Sequence, residues 1–289
     1  MPPRRTPLPV ATPAQRAGLL AAGFSAEAVH IADVIGAAGP LLASVEGSAG
    51  RNGAAGFNSF ASNHVALSVD RAILEVQGTV SSLICQSGRI GELQDDLNQR
   101  NADINNQFAM AGIAIGAGAA VVTGGMSFFT NATIPTVTGM VAGGVGGALS
   151  VWQLGVDATG RLRLQQNMLE EFWRAPENAT LFPMRVWRYL NSRTAPSEAT
   201  PREVIMASWR RDGLIPDQAP TAEPPAIILN QNAVDSDDLE RLKLLLEPLE
   251  ARIGLMSRDL GQLIEELLER TEAAAASRQA PPARRRPAA

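Results

Sequence analysis

The most constraining feature of this chain is a long interior stretch without charged side chains. Residues 104–156, 53 consecutive positions between Asp103 and Asp157, contain no Asp, Glu, Lys or Arg. About a quarter of the residues in an ordinary soluble domain are charged, because surface segments of this length carry ionised groups. The stretch is therefore predicted to be hidden from water, either permanently or under particular conditions.

The uncharged stretch divides at a polar, proline-containing turn and is predicted to form a helical hairpin. Its first arm spans residues 108–129 and its second arm residues 136–156, with Asn131 and Pro135 in the turn. At about 1.5 Å rise per residue, each arm is roughly 30 Å long, which matches the hydrocarbon core of a bilayer. These lengths favour a hairpin that inserts in a membrane.

Glycines recur every four residues along both arms. Residues four apart share one face of a helix, so each arm has a smooth strip where another backbone can approach closely. In water such glycines would cost about 1 kcal/mol each relative to alanine, so the arms need close packing or a bilayer. The predicted packing strip consists of Gly112, Gly116 and Gly124 in the first arm and Gly139, Gly143, Gly147 and Gly155 in the second. Aromatic residues at the positions expected for a membrane interface are Phe128, Phe129 and Trp152.

Other interpretations of the glycines were weighed against this one. A phosphate-binding loop is disfavoured because no Gly-Lys-Ser or Gly-Lys-Thr occurs, and Gly116 and Gly118 are followed by Val121 instead of a third glycine. A hairpin buried in the core of a soluble bundle stays open as an alternative. Leucine occurs in the arms only at Leu149 and Leu154, so insertion is expected to depend on pairing between arms and between copies.

A heptad repeat precedes the hairpin. An apolar residue recurs every seven positions from Val69 to Ile104, and the companion positions turn polar towards the end of the repeat. The pattern predicts a long helix over residues 65–107 that packs along its length. No breaker separates it from the first arm, so residues 65–129 are predicted to form one helix of ~95 Å at 1.5 Å per residue.

A second heptad pattern follows the hairpin. Apolar residues from Leu239 to Leu267 alternate steps of three and four, and they predict a coiled-coil helix over residues 235–270. Pro248 falls inside this pattern and is expected to kink or split the helix. The two heptad segments are expected to pair as an antiparallel bundle within the chain; the alternative is a coiled coil between chains.

The predicted fold class is all-α, an elongated helical bundle or coiled coil that carries the glycine-patterned apolar hairpin. Within it, Thr200-Pro201-Arg202-Glu203 has the pattern of a capping box and predicts a short helix that ends near Gly213. The remaining predicted segments are a disordered basic arm over 1–16, short helices over 17–64, a helical segment with Trp and Arg over 157–215, a proline-rich linker over 216–234 and a disordered basic tail over 271–289.

Composition argues against catalysis and against nucleic-acid binding. A net charge of −4 does not provide the broad basic surface that nucleic acid requires. A single cysteine, Cys85, excludes an internal disulfide framework and a multi-cysteine metal site. His30 and His64 have no nearby ligand spacing and are interpreted as ordinary helix or loop residues. The chain is therefore predicted not to be an enzyme and to hold no cofactor or metal ion.

The order of a long helix, an apolar hairpin, a return segment and a closing coil resembles the architecture of the α-helical pore-forming toxins. The resemblance covers residues 65–270 and implies a hairpin that inserts in a bilayer after rearrangement. The predicted function is a non-enzymatic membrane-inserting protein whose partners are a lipid bilayer and further copies of itself, or a helical partner protein. The alternative is a soluble all-α scaffold or partner-binding protein with the hairpin buried in a bundle.

The amino-terminal sequence favours synthesis without a cleaved signal peptide. Prolines interrupt it, and the apolar piece over residues 17–24 is too short for a secretory signal. The expected location is the cytoplasmic membrane, or solution before insertion. If the hairpin inserts during synthesis, Arg100, Arg161 and Arg163 favour cytoplasmic termini.

Overall fold

The computed structural model describes residues 7–49, 59–126, 166–195, 197–217, 223–229 and 234–279. Of residues 47–49, 59, 60, 105, 107–126 and 274–279 it describes the backbone alone. The regular elements in this part of the chain are α-helices that pack against one another, which confirms the predicted all-α fold class.

The helices of the described residues are numbered here in chain order. They are α1 (Pro13–Ala21), α2 (Ala26–Val34), α3 (Ala38–Ala49), α4 (Ser59–Met126), α5 (Met168–Arg174), α6 (Met184–Asn191), α7 (Pro201–Arg211), α8 (Ala226–Leu229) and α9 (Ser236–Gln279).

The chain divides into two compact units. Unit 1 comprises residues 1–86, 166–225 and 244–289, and unit 2 comprises residues 87–165 and 226–243. The long helices α4 and α9 each contribute one part to unit 1 and the other part to unit 2.

Helix α4 follows the first heptad repeat. The apolar residues at seven-residue spacing are buried along it, and they are Val69, Val76, Leu83, Ile90 and Leu97. The helix begins at Ser59, six residues before the predicted start, and it continues past residue 107 into the predicted first arm as far as Met126. The burial of every member of the repeat from 69 to 97 is what a helix packed along one face requires.

Helix α9 follows the second heptad pattern and is not split by its proline. The seam residues from Leu239 to Leu263 are buried, and the helix runs without interruption from Ser236 to Gln279. Pro248 lacks the amide that would bond the carbonyl of Leu244, one turn earlier. Leu244 is exposed, so water can reach that turn of the helix, and this accommodates the missing bond.

The amino-terminal residues differ from the prediction. Residues 7–16 do not form the disordered arm that their prolines predict, because α1 begins at Pro13 and Thr12 caps it. Thr12 and Gln15 form a reciprocal capping box, in which each side chain accepts from the other residue's backbone amide. Proline at the first helical position is favourable, since its amide would be unpaired there in any case.

The return segment of unit 1 packs around Trp209, which is fully buried. The ring of Phe172 on α5 meets Trp209 on α7 edge to face at 5.3 Å between centroids. The capping box predicted at Thr200 and Glu203 is confirmed, and α7 ends just before Gly213, whose positive φ of 69° suits glycine. Two predicted boundaries shift, because the short α8 lies within the predicted linker 216–234 and α9 extends past residue 270 to Gln279.

Candidate functional site

The residues of the predicted hairpin fall in two groups. Gly112, Gly116 and Gly124 lie on α4, where the helical backbone reaches Met126. The other packing glycines, the turn residues and the interface aromatics lie outside the described residues; these are Gly139, Gly143, Gly147, Gly155, Asn131, Pro135, Phe128, Phe129 and Trp152. Among the residues whose side chains the structure describes, no helix combines the length and the apolar character needed to cross a membrane.

The candidate site is the part of α4 where the heptad repeat gives way to the uncharged stretch. Before that point the helix has a buried face, which includes Ile90 and Leu97, and a charged face with an exposed ion pair between Arg100 and Asp96 at 2.7 Å. After Asp103 the same helix continues for more than five turns without a charged residue. A single helix thus contains a segment with a charged face exposed to water, followed by a segment without charged residues.

Within unit 2, α9 lies antiparallel to α4. The Ser236 hydroxyl at the start of α9 donates to Asn98 Oδ1 at 2.8 Å. One heptad earlier on α4, a methyl group at Gly91 would lie 4.0 Å from Lys243 Nζ, which is one heptad later on α9. The first turns of α9 therefore lie against residues 91–98 of α4 in the antiparallel direction.

Unit 1 contains a polar cluster centred on the buried Asp33 of α2. One carboxylate oxygen accepts from Arg188 Nη2 at 2.6 Å and from the backbone amide of Ala11 at 2.7 Å, and the other accepts from Arg16 Nη2 at 2.5 Å. Arg188 also donates to the carbonyl of Pro9 at 2.9 Å. The cluster fastens the amino-terminal residues to α2 and α6.

A second buried arginine fastens α6 to α4. Arg185, whose side chain is 8% exposed, donates from Nη1 to Glu75 Oε1 at 2.8 Å and from Nε to the carbonyl of Ile35 at 3.2 Å. Arg71 pairs with the same Glu75 oxygen at 3.1 Å from the solvent side. A buried guanidinium needs such a carboxylate and carbonyl, because an unpaired charge in the interior is costly.

His30 is on α2, and its side chain reaches the residue that follows α6. Its Nε2 is 3.3 Å from the hydroxyl of Ser192, which follows α6. Burial lowers the pKa of His30 below its usual 6.5, although Asp33 and Asp259 act in the opposite direction. Beside it, the Tyr189 hydroxyl donates to Asp259 Oδ2 at 3.1 Å, and burial together with this carboxylate raises the pKa of Tyr189.

The serine, histidine and aspartate of this cluster are not arranged as a nucleophilic triad. In a triad the histidine lies between the serine and a carboxylate that orients its second nitrogen. Here both oxygens of Asp33 are engaged by Arg16, Arg188 and a backbone amide, and Asp259 accepts from Tyr189. The geometry fits a network that holds helices together.

Among the described residues, no group of three or more His, Cys, Asp or Glu side chains is placed to hold a metal ion. Cys85 is exposed on α4. No periodic pattern in the sequence indicates the Asp33 and Arg185 clusters, since their partners lie 155 and 110 positions apart along the chain. The only sequence signal for them is the presence of arginines close to the aromatic residues of α6.

The chain matches no protein-family model, and comparisons with curated proteins and with solved structures also find no match.

Proposed function

We propose that this chain is a non-enzymatic membrane-inserting helical protein. Its hairpin over residues 108–156 enters a bilayer, and the glycine faces of the two arms join copies of the chain into an oligomer. Pore formation is the more specific form of this proposal. The partners are a lipid bilayer and further copies of the chain.

One observation carries the proposal, which is the continuity of α4. The helix is packed through its heptad residues from Val69 to Leu97 and continues without a break into the uncharged stretch as far as Met126. A helix satisfies its own backbone hydrogen bonds, and this is the requirement that a bilayer imposes on a spanning segment. Residues 108–126 of the first arm thus have the helical backbone that insertion needs.

Insertion is tested by attaching an environment-sensitive fluorophore to one cysteine at a time. In a Cys85→Ser background, Ala142→Cys places the dye NBD in the second arm. With phosphatidylglycerol vesicles we expect the emission to brighten and shift to the blue, and nitroxide-labelled lipid to quench it. The wild-type chain labelled at the exposed Cys85 is the matched control and keeps the emission of a dye in water. Equal emission at both positions would contradict insertion.

Assembly through the glycine faces is tested with leucine substitutions. Gly143→Leu with Gly147→Leu fills the proposed contact strip, and we expect crosslinked oligomers in vesicles to decrease severalfold. Gly254→Leu is the matched control, because a side chain at that α9 position meets open space. Oligomer yields unchanged by the double substitution would reject the glycine-face mechanism.

Fractionation distinguishes this function from the alternative of a soluble scaffold. We expect the protein to stay in the membrane pellet after a carbonate wash, or to release dye from liposomes when purified. A detergent-independent monomer or dimer that releases no dye would instead support a scaffold or partner-binding protein.

A further inference from the structure

Unit 1 contains an apolar cavity of about 330 Å³. It lies between the first turns of α4 and the last part of α9, and the loop between α1 and α2 contributes to its wall. Apolar side chains form most of the wall, and they include Phe24, Val65, Val69, Leu263, Ile264 and Leu267. A concave, mostly apolar site of this kind is where proteins commonly bind small molecules.

Arg270 places a cation at the wall of the cavity. Its guanidinium lies over the face of Phe24, with Cζ 4.0 Å from the ring centroid, and Nη1 donates to the carbonyl of Ala22. Its Nε is buried and has no hydrogen-bond partner. The hydroxyl of Ser62, another residue that lines the cavity, is buried and unpartnered as well. Buried polar atoms are normally paired, so these two unpaired atoms mark the polar part of an otherwise apolar wall.

The charge of Arg270 helps to lower the pKa of Glu266, but no ion pair among the described side chains includes Arg270. Glu266, one turn earlier on α9, accepts from the amide and hydroxyl of Ser25 and from Gln262. Asp70 also lines the cavity and is exposed to solvent. The donor that is free to act is therefore cationic, and it is complementary to a carboxylate.

We propose that this cavity binds one molecule of a long-chain carboxylic acid. The hydrocarbon chain lies among the valines of α4 and the leucines of α9, and the carboxylate pairs with the guanidinium of Arg270. The volume is at the low end of the roughly 300–1,000 Å³ typical of small-molecule sites, which suits a single chain. This site is in unit 1 and does not depend on whether the hairpin inserts in a membrane.

Titration of the full-length chain with the fluorescent fatty acid cis-parinaric acid, below its micelle concentration and without vesicles, tests the proposal. We expect saturable binding with one site per chain. Oleate displaces the probe, and oleyl alcohol, which has the same chain without the charge, displaces it at least tenfold less well. Binding that does not saturate, or equal displacement by the acid and the alcohol, would overturn the proposal.

Substitutions locate the site. Arg270→Leu is expected to weaken probe binding about tenfold, whereas Arg270→Lys keeps part of the affinity because it retains the charge. Arg241→Leu is the matched control, since this exposed arginine lies on the same helix and does not line the cavity. Val69→Phe fills the cavity and should abolish binding; if this variant fails to fold, the two Arg270 variants decide. An affinity unchanged by Arg270→Leu would place the ligand elsewhere and reject the proposal.

Discussion

Arg185 Nη1 lies 2.8 Å from Glu75 Oε1, and this buried ion pair joins α6 to α4. The side chains are only 8% and 18% exposed, so removal of one partner leaves a charge in the interior. The return segment is thereby tied to the helix that leads into the uncharged stretch.

The first prediction concerns this pair. Glu75→Leu alone should lower the free energy of unfolding by about 3 kcal/mol, because the buried Arg185 loses its carboxylate. Arg185→Met alone should cost less, because Glu75 keeps its ion pair with Arg71. The double substitution should cost much less than the two single costs combined. Urea unfolding followed by tryptophan fluorescence reads this directly, since Trp173, Trp187 and Trp209 all lie in unit 1.

A control for this cycle is available on the same helix. Arg100 and Asp96 form an ion pair that is 60% and 49% exposed, and Arg100→Met should cost under about 1 kcal/mol. Additive costs at Glu75 and Arg185 would show that the buried pair does not act as a unit.

Acid should destabilise the protein through His30. Its folded pKa lies below 6.5, so above pH 6.5 the imidazole is neutral in both states and the stability is fully present. As the pH falls below 6.5, the unfolded chain takes up the proton first, and stability declines by up to about 1.4 kcal/mol per pH unit until the folded pKa is reached.

Substitution of each histidine separates this effect from other titrations. His30→Gln should flatten the pH dependence of the urea midpoint between pH 6.5 and pH 5. His64→Gln provides the comparison, because that histidine is exposed on α4 and its removal should keep the slope. A slope that persists in His30→Gln would assign the acid sensitivity to other groups.

Ser25 joins α2 to α9, and its substitution should remove both the cap of α2 and the bond to α9, which lowers the free energy of unfolding. The Ser25 hydroxyl caps α2 by accepting from the amide of Ala28 at 3.1 Å, and it donates to Glu266 at 2.6 Å. Ser25→Ala should cost about 2 kcal/mol. Thr12→Ala removes a cap on α1 without a distant contact and should cost about 1 kcal/mol.

The contact between Ser25 and Glu266 should also make the stability of the protein depend on pH. Burial opposes ionisation of Glu266, but hydrogen bonds from Ser25 outweigh it and hold the pKa below 4.5. The stability that this carboxylate contributes is present above pH 4.5 and is lost as the pH falls through the folded pKa. Glu266→Gln should therefore destabilise the chain more at pH 7 than at pH 3; an equal cost at both values would contradict the role of the ionised form.

Replacement of Pro248 should stabilise the protein. The proline lies inside α9, where it removes one backbone hydrogen bond from a helix that is otherwise continuous. Pro248→Ala restores the amide and should raise the free energy of unfolding by about 1–3 kcal/mol, less the entropy that proline removes from the unfolded chain. A lower urea midpoint in this variant would show that the proline is required by its surroundings.

Periodic features of the fold could be predicted from the sequence. The heptads through Leu83 and Leu246 predicted two long helices, because apolar residues at this spacing share one face. The capping box at Thr200 predicted where α7 begins, because its two side chains act on neighbouring amides. Such local features can be predicted without knowing which distant residues come into contact.

The polar clusters could not be predicted in the same way. Asp33 and Arg188 meet because α2 packs against α6, and nothing in their local sequence indicates it. The error at the amino terminus is different in kind. Thr12-Pro13-Ala14-Gln15 carries the same capping pattern as Thr200, but it lies within the segment that the composition predicts to be a disordered arm. Proline at the first helical position starts a helix and does not break it.

The contact between Ser25 and Glu266 also orders events during synthesis. Its two residues are 241 positions apart, so α2 has no partner in α9 until most of the chain has been translated. The uncharged stretch ends at residue 156, 80 positions before Ser236 begins α9, which at about 5–20 residues per second is roughly 4–16 s of translation. The ribosome therefore releases the uncharged segment before α9 has been made and before unit 1 can fold completely. Any insertion of that segment can begin before α2 and α9 come into contact.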